Sequence, residues 1–88
     1  MAKSSVRWTE EQLRCLFDLL REALKQLQRP LEHRDFFAIT EAVNRRLGGT
    51  VNSSGVQFHS KGSHTMHTFV LKARKAEYEI LERSVLGG

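Results

Sequence analysis

The stretch WTEEQLRCLFDLLREALKQL, residues 8–27, decides the fold. Within it Leu13, Leu16, Phe17, Leu20, Leu24 and Leu27 recur at steps of three and four, the spacing that stacks side chains on one helix face. Its start carries a capping box. The Thr9 hydroxyl is placed to accept from a free N–H of the first turn, and the Gln12 side chain to reach back to the Thr9 amide. Trp8 and Leu13 hold the positions of a hydrophobic staple, and Glu10 and Glu11 lie at the positive end of the helix dipole. Leu19 and Ala23 widen the apolar face, which predicts a hub helix with partners on two sides. Trp8 is expected to be mostly buried, at the junction of the first and third helices.

Working outward, residues 1–6 read as a flexible polar lead-in. Beyond the first helix, Arg29-Pro30 forms a break, because proline disfavours helical backbone in the residue before it. A second helix is predicted over 35–47, with Asp35 as N-cap, Phe36, Ile39, Val43 and Leu47 on its inner face, and Phe37 on its flank. Gly48-Gly49 closes it. Residues 50–62 mix Ser, Gly and Asn with Val51, Val56 and Phe58. Asn52-Ser53-Ser54-Gly55 reads as a turn between two short extended pieces, giving a small hairpin or an ordered loop laid on the core; a mobile linker is the alternative. A third helix, capped by Ser63, is expected to run unbroken to about Leu86, with Met66, Phe69, Val70, Ala73, Ala76, Ile80 and Leu81 as its inner stripe and Gly87-Gly88 as its end. The fold class is therefore all-α, three helices around one core, in one domain over residues 7–88.

Composition sets the outer limits. Eighty-eight residues make one small domain, and the single cysteine, Cys15, has no internal disulfide partner, so packing must supply the stability. It reads as a small packed thiol. No apolar run reaches the length of a membrane span, and no membrane partner is expected. Fourteen basic against ten acidic residues give a net charge of +4, which permits nucleic-acid binding without requiring it. The charge is uneven along the third helix. Its first half carries Lys72, Arg74 and Lys75 with no acid, whereas the part after Ala76 carries Glu77, Glu79 and Glu82 against Arg83, with Glu79 and Arg83 spaced for an i,i+4 pair.

Enzyme chemistry has little support. No glycine-rich phosphate loop and no Ser/His/Asp pattern occurs, and no small-molecule substrate or cofactor is expected. His33, His59, His64 and His67 accompany one cysteine. A zinc site from His59, His64 and His67 would lack a second cysteine and a close acid, so these histidines read as surface or helix-start residues with no bound metal.

Arg7-Trp8-Thr9-Glu10-Glu11 followed by Leu13 resembles the opening of a Myb or SANT repeat, in which a tryptophan begins a helix rich in acids and leucines. Phe36-Phe37-Ala38-Ile39-Thr40-Glu41-Ala42-Val43 through Leu47-Gly48 is similar to that family's second helix, with phenylalanine for its second tryptophan. Phe69 or Val70 would stand at the third aromatic position. The first helix and its connection are longer than in a typical Myb repeat, residues 50–62 stand where that family has a short turn, and the third helix runs on further.

The resemblance implies a helix-turn-helix-like domain of a nuclear transcription or chromatin protein, docking its third helix in the major groove of double-stranded DNA. His67, Thr68 and Leu71 would match the base-reading positions. Lys72 and Lys75 would contact phosphates, His64 would also face outward, and Arg45, Arg46 and Lys61 would add backbone contacts. None of these is an Arg or Asn placed for bidentate base recognition, which predicts modest sequence specificity. The alternative is a SANT-type interaction module for a histone or another chromatin protein, using the acidic end of the third helix with Leu19 of the first helix and Leu71, Tyr78 and Val85 of the third, all lying off the inner stripe. Packing of these four against the loop over 51–58 would instead make them structural.

Overall fold

The computed structural model describes residues 8–51, 55 and 57–87. The expected lead-in, Val56 and the turn at 52–54 lie outside the described residues.

The first helix, α1 (Glu10–Leu27), begins as its sequence predicts. The Gln12 amide donates to Thr9 Oγ1 at 3.1 Å, and the Thr9 amide donates to Gln12 Oε1 at 2.9 Å, so two orphan donors are satisfied reciprocally. Leu16, Leu20 and Leu24 are fully buried, each contributing about 1.5–3 kcal/mol of burial. Leu13, Phe17, Leu19 and Ala23 are half-buried, whereas Leu27 is exposed because the helix ends there. Gln28 takes the left-handed conformation (φ 57°), with its amide donating to the Leu24 carbonyl and its side-chain Nε2 to the Lys25 carbonyl. That local bond helps a non-glycine residue hold a backbone region that otherwise costs about 1–2 kcal/mol. As expected of a hub, α1 packs on two sides, against α2 (Asp35–Leu47) and α4 (Lys75–Leu86).

The connection into α2 is tied by one carboxylate. Asp35 is the first residue of α2 and not its N-cap; Arg34 holds the cap position, with no side-chain hydrogen bond. Instead of capping the helix, Asp35 accepts a fork from Arg29 at 2.8 and 3.1 Å and the Glu32 amide at 2.7 Å. Chiefly the Arg29 hydrogen bond, opposed by burial, holds its carboxyl below the usual range. Phe36, Ile39 and Val43 point into the core; Phe37 stays exposed. At the far end the two glycines divide the work. A Cβ on Gly48 would run into the Asn44 carbonyl oxygen, and Gly49 supplies the positive φ of 84°.

The segment over 50–62 folds back on itself. The Phe58 amide donates to the Thr50 carbonyl at 2.9 Å, the Gly49 amide donates to the Phe58 carbonyl at 3.1 Å, and an antiparallel bridge pairs Val51 with Gln57. Phe58 is buried and Val51 exposed, so the expected ordered loop holds at its base. Trp8 is half-buried, less than expected. It lies face to face on Phe69, centroids 4.9 Å apart, and edge-on to Phe58 at 5.3 Å.

The expected unbroken third helix is three stretches: α3 (Ser63–Thr68), a π-helical turn over Phe69–Ala73, and α4 after a break at Arg74 (φ −121°, ψ 33°). Ser63 is not the cap either; Gly62 precedes the helix without a side-chain bond. The Arg74 amide donates five residues back, to the Phe69 carbonyl. The reason is register. Val70 and Tyr78, eight residues apart, would differ by about 80° on a continuous α-helix. One residue absorbed in the π turn leaves an effective seven, and both then face the core. The inner stripe is accordingly Met66, Val70, Tyr78 and Leu81, with Phe69 half-buried, while Ala73, Ala76 and Ile80 are exposed. Tyr78 locks this register: its hydroxyl accepts the Leu31 amide at 3.1 Å, joining α4 to the connection between α1 and α2. The protein is thus all-helical, with four α-helices and no named strand among the described residues.

Candidate nucleic-acid interface

Two groups of the expected contact residues emerge, one at the start of the third helical segment and one near its middle. At its start, the Asn44 side chain clamps the backbone of Lys61: Asn44 Nδ2 donates to the Lys61 carbonyl at 2.8 Å, and the Lys61 amide donates to Asn44 Oδ1 at 2.9 Å. This bond brings the C-terminal end of α2, with exposed Arg45 and Arg46, beside the first turn of α3 and exposed His64. Arg45 lies 3.9 Å from Glu41, a loose surface pair. Arg46 has no ion pair among the described residues.

Lys61 is less available than its sequence position suggests. Its ammonium donates to the His59 carbonyl at 2.7 Å and lies 4.3 Å from the centre of the Phe58 ring, so partial burial lowers its pKa. Its charge serves the loop as much as any ligand.

The second group straddles the end of the π turn. Lys72 lies within it and Lys75 opens α4, both exposed and outside the ion pairs among the described residues. Arg74, between them, pairs with Glu77 at 3.0 Å, and no ion pair joins Glu79 to Arg83 among the described residues. At about 1.5 Å of rise per residue, His64 stands roughly 12–16 Å from Lys72 and Lys75 along the segment.

The expected base-reading trio does not stand clear of the protein. Thr68 and Leu71 are half-buried, and Leu71 packs against the core. His67 is half-buried too, lying face to face with His33 at 4.8 Å and edge-on to Phe36 at 5.0 Å. His33 also approaches His64, at 5.9 Å, and Phe37, at 5.7 Å. Burial first, then the charges of His33 and His64, hold the His67 imidazole below the ordinary histidine range. The structure does bring three histidines together, but with His33 beside His64 and His67 instead of the His59 of the zinc grouping set aside in the sequence. The i,i+3 spacing of His64 and His67 was visible in the sequence, but only the packing of α3 on α2 reveals the third ring. No group of three metal-binding side chains among the described residues is arranged to hold a metal ion.

The alternative docking face is also altered. Tyr78 is buried, with its hydroxyl engaged, and burial first raises its pKa. Leu19, Leu71 and Val85 are half-buried against the core. What α4 does expose is Ile80, at 64%, close to Glu79 and Arg83 in sequence.

No protein-family model, curated protein or solved structure matches this chain.

Proposed function

We propose that this chain is a Myb/SANT-like DNA-binding domain that docks the start of its third helical segment, α3 and the π turn, on double-stranded DNA, as part of a nuclear transcription or chromatin protein. In this reading α1, α2 and the third segment correspond to the three helices of that family. The observation that carries it is the exposure of Lys72, Lys75 and Arg46 outside the ion pairs among the described residues. Unpaired surface cations release counterions when they meet phosphates, and that release drives sequence-independent affinity. With His67, Thr68 and Leu71 half-buried, His64 and Thr65 are the exposed residues near the helix start, and backbone contact outweighs base reading.

The test is a titration of labelled duplex DNA across a salt series. Lys72→Ala/Lys75→Ala should lower the log–log salt slope by about two, at one unit per phosphate contact, with folding unchanged. Absence of salt-dependent binding by the wild-type domain at low ionic strength would sink the proposal. A second reading, a chromatin-protein interaction module, is favoured by exposed Ile80 on the acidic α4. It predicts that Ile80→Asp abolishes a partner complex and leaves DNA retention intact.

A further inference from the structure

We propose that His33, His64 and His67 form a proton-sensitive joint between α2 and α3, closed when the rings are neutral and loosened when they take up protons. The geometry is that of a short aromatic ladder across two segments. Exposed Phe37 lies against His33, His33 against His67, and His67 edge-on against the fully buried Phe36, with centroid separations of 5.7, 4.8 and 5.0 Å. His64 adds a third imidazole at 5.9 Å from His33. Neutral rings gain from this stacking, but adjacent imidazolium rings repel, and a charged His67 also loses solvation against Phe36.

Other charges near the joint offer His67 little compensation. On the connection side Glu32 meets Arg34 at 3.2 Å, and Asp35 of α2 is held by Arg29 and the Glu32 amide. The charged groups acting on His67 are the like charges of His33 and His64; on α3 itself no acid stands between Ser63 and Thr68. Two attachments hold α3 on α2 beside the core contact of Met66: the Asn44–Lys61 clamp at one end and this ladder near the other. Protonation therefore releases one of the two.

The sign follows from linkage. His67 binds its proton less readily folded than unfolded, so its contribution to stability is complete above the unfolded value of about 6.5 and is lost as pH falls through the folded value. Histidine is the side chain whose ordinary pKa places such a change near neutrality.

The test combines a proton NMR titration of the histidine rings with thermal melts between pH 8 and 5, on the whole chain. His67 is expected to titrate below about 6.5. The Phe36 ring and Met66 methyl signals should shift with the same midpoint, and the melting temperature should fall by a few degrees across that window. His67→Phe keeps a ring against Phe36 without a charge and should flatten that part of the fall, while His33→Gln should move the His67 midpoint upward. An unshifted His67 midpoint, Phe36 and Met66 signals that ignore it, or a melting profile identical in wild type and His67→Phe would each overturn the proposal.

Discussion

The faces of α1 and of the third helical segment rest on the same kind of signal, apolar residues three and four apart, yet the reading holds in one and slips in the other. In α1, local chemistry and tertiary packing agree: the Thr9–Gln12 box starts the helix, and Leu16, Leu20 and Leu24 lie on one buried face. In the third segment they part company. Periodicity chose Ala73, Ala76 and Ile80 beside Leu81, whereas the fold exposes the first three, buries Tyr78 with Leu81 and accommodates the extra residue in a π turn. The difference teaches that a helix with a strong cap and a dense leucine face sets its own phase. A helix with an uncapped start and a sparse apolar stripe takes its phase from what it docks against.

Single-residue deletions should separate the two most sharply. Removing exposed Asp18 rotates Leu20 and Leu24 by about 100° from Leu16 and should abolish cooperative unfolding, since no bulge is present to absorb the change. Removing exposed Ala73 takes out the residue that the π turn accommodates, leaving Val70 and Tyr78 seven apart on a continuous α-helix. That variant should still unfold cooperatively in urea.

Truncations come next in size. Leu20→Ala and Tyr78→Ala should each cost about 2–5 kcal/mol by urea denaturation, whereas Ile80→Ala should stay within about 0.5 kcal/mol. An unbroken helix predicts the reverse order for Tyr78 and Ile80, so a costly Ile80→Ala beside a neutral Tyr78→Ala would refute the register described above. Tyr78→Phe isolates the hydroxyl. Leaving the Leu31 amide unpaired in a buried place should cost about 1–3 kcal/mol.

The smallest effect tests the two helix starts. Thr9→Ala removes one half of a reciprocal cap and should cost about 1 kcal/mol, seen as a lowered denaturation midpoint with an unchanged slope. Ser63→Ala removes no side-chain cap bond and should be close to neutral; a loss equal to that of Thr9→Ala would restore Ser63 as the cap.

The candidate interface divides in the same manner. That Lys72, Lys75, Arg45 and Arg46 are exposed was legible, because long charged side chains outside an apolar stripe are costly to bury. That Thr68 and Leu71 are half-buried was not legible, since their exposure depends on how the segment turns at Phe69–Ala73. His33 could not have been joined to His67 from spacing, because thirty-odd residues and two turns of chain separate them.

What the sequence by itself determined is local: the α1 cap, the limits of α2, its glycine ending and the buried leucine face. Each rests on bonds or contacts within a few residues, which the chain makes wherever it is placed. What only the tertiary structure decided is the phase of the third segment, the burial of Tyr78 against the Leu31 amide, the sharing of Asp35 between Arg29 and Glu32, and the meeting of three histidines. These are contests between distant groups for the same space or the same donor. They are settled by which arrangement leaves fewest buried groups unpaired, a quantity that exists only once the helices have packed.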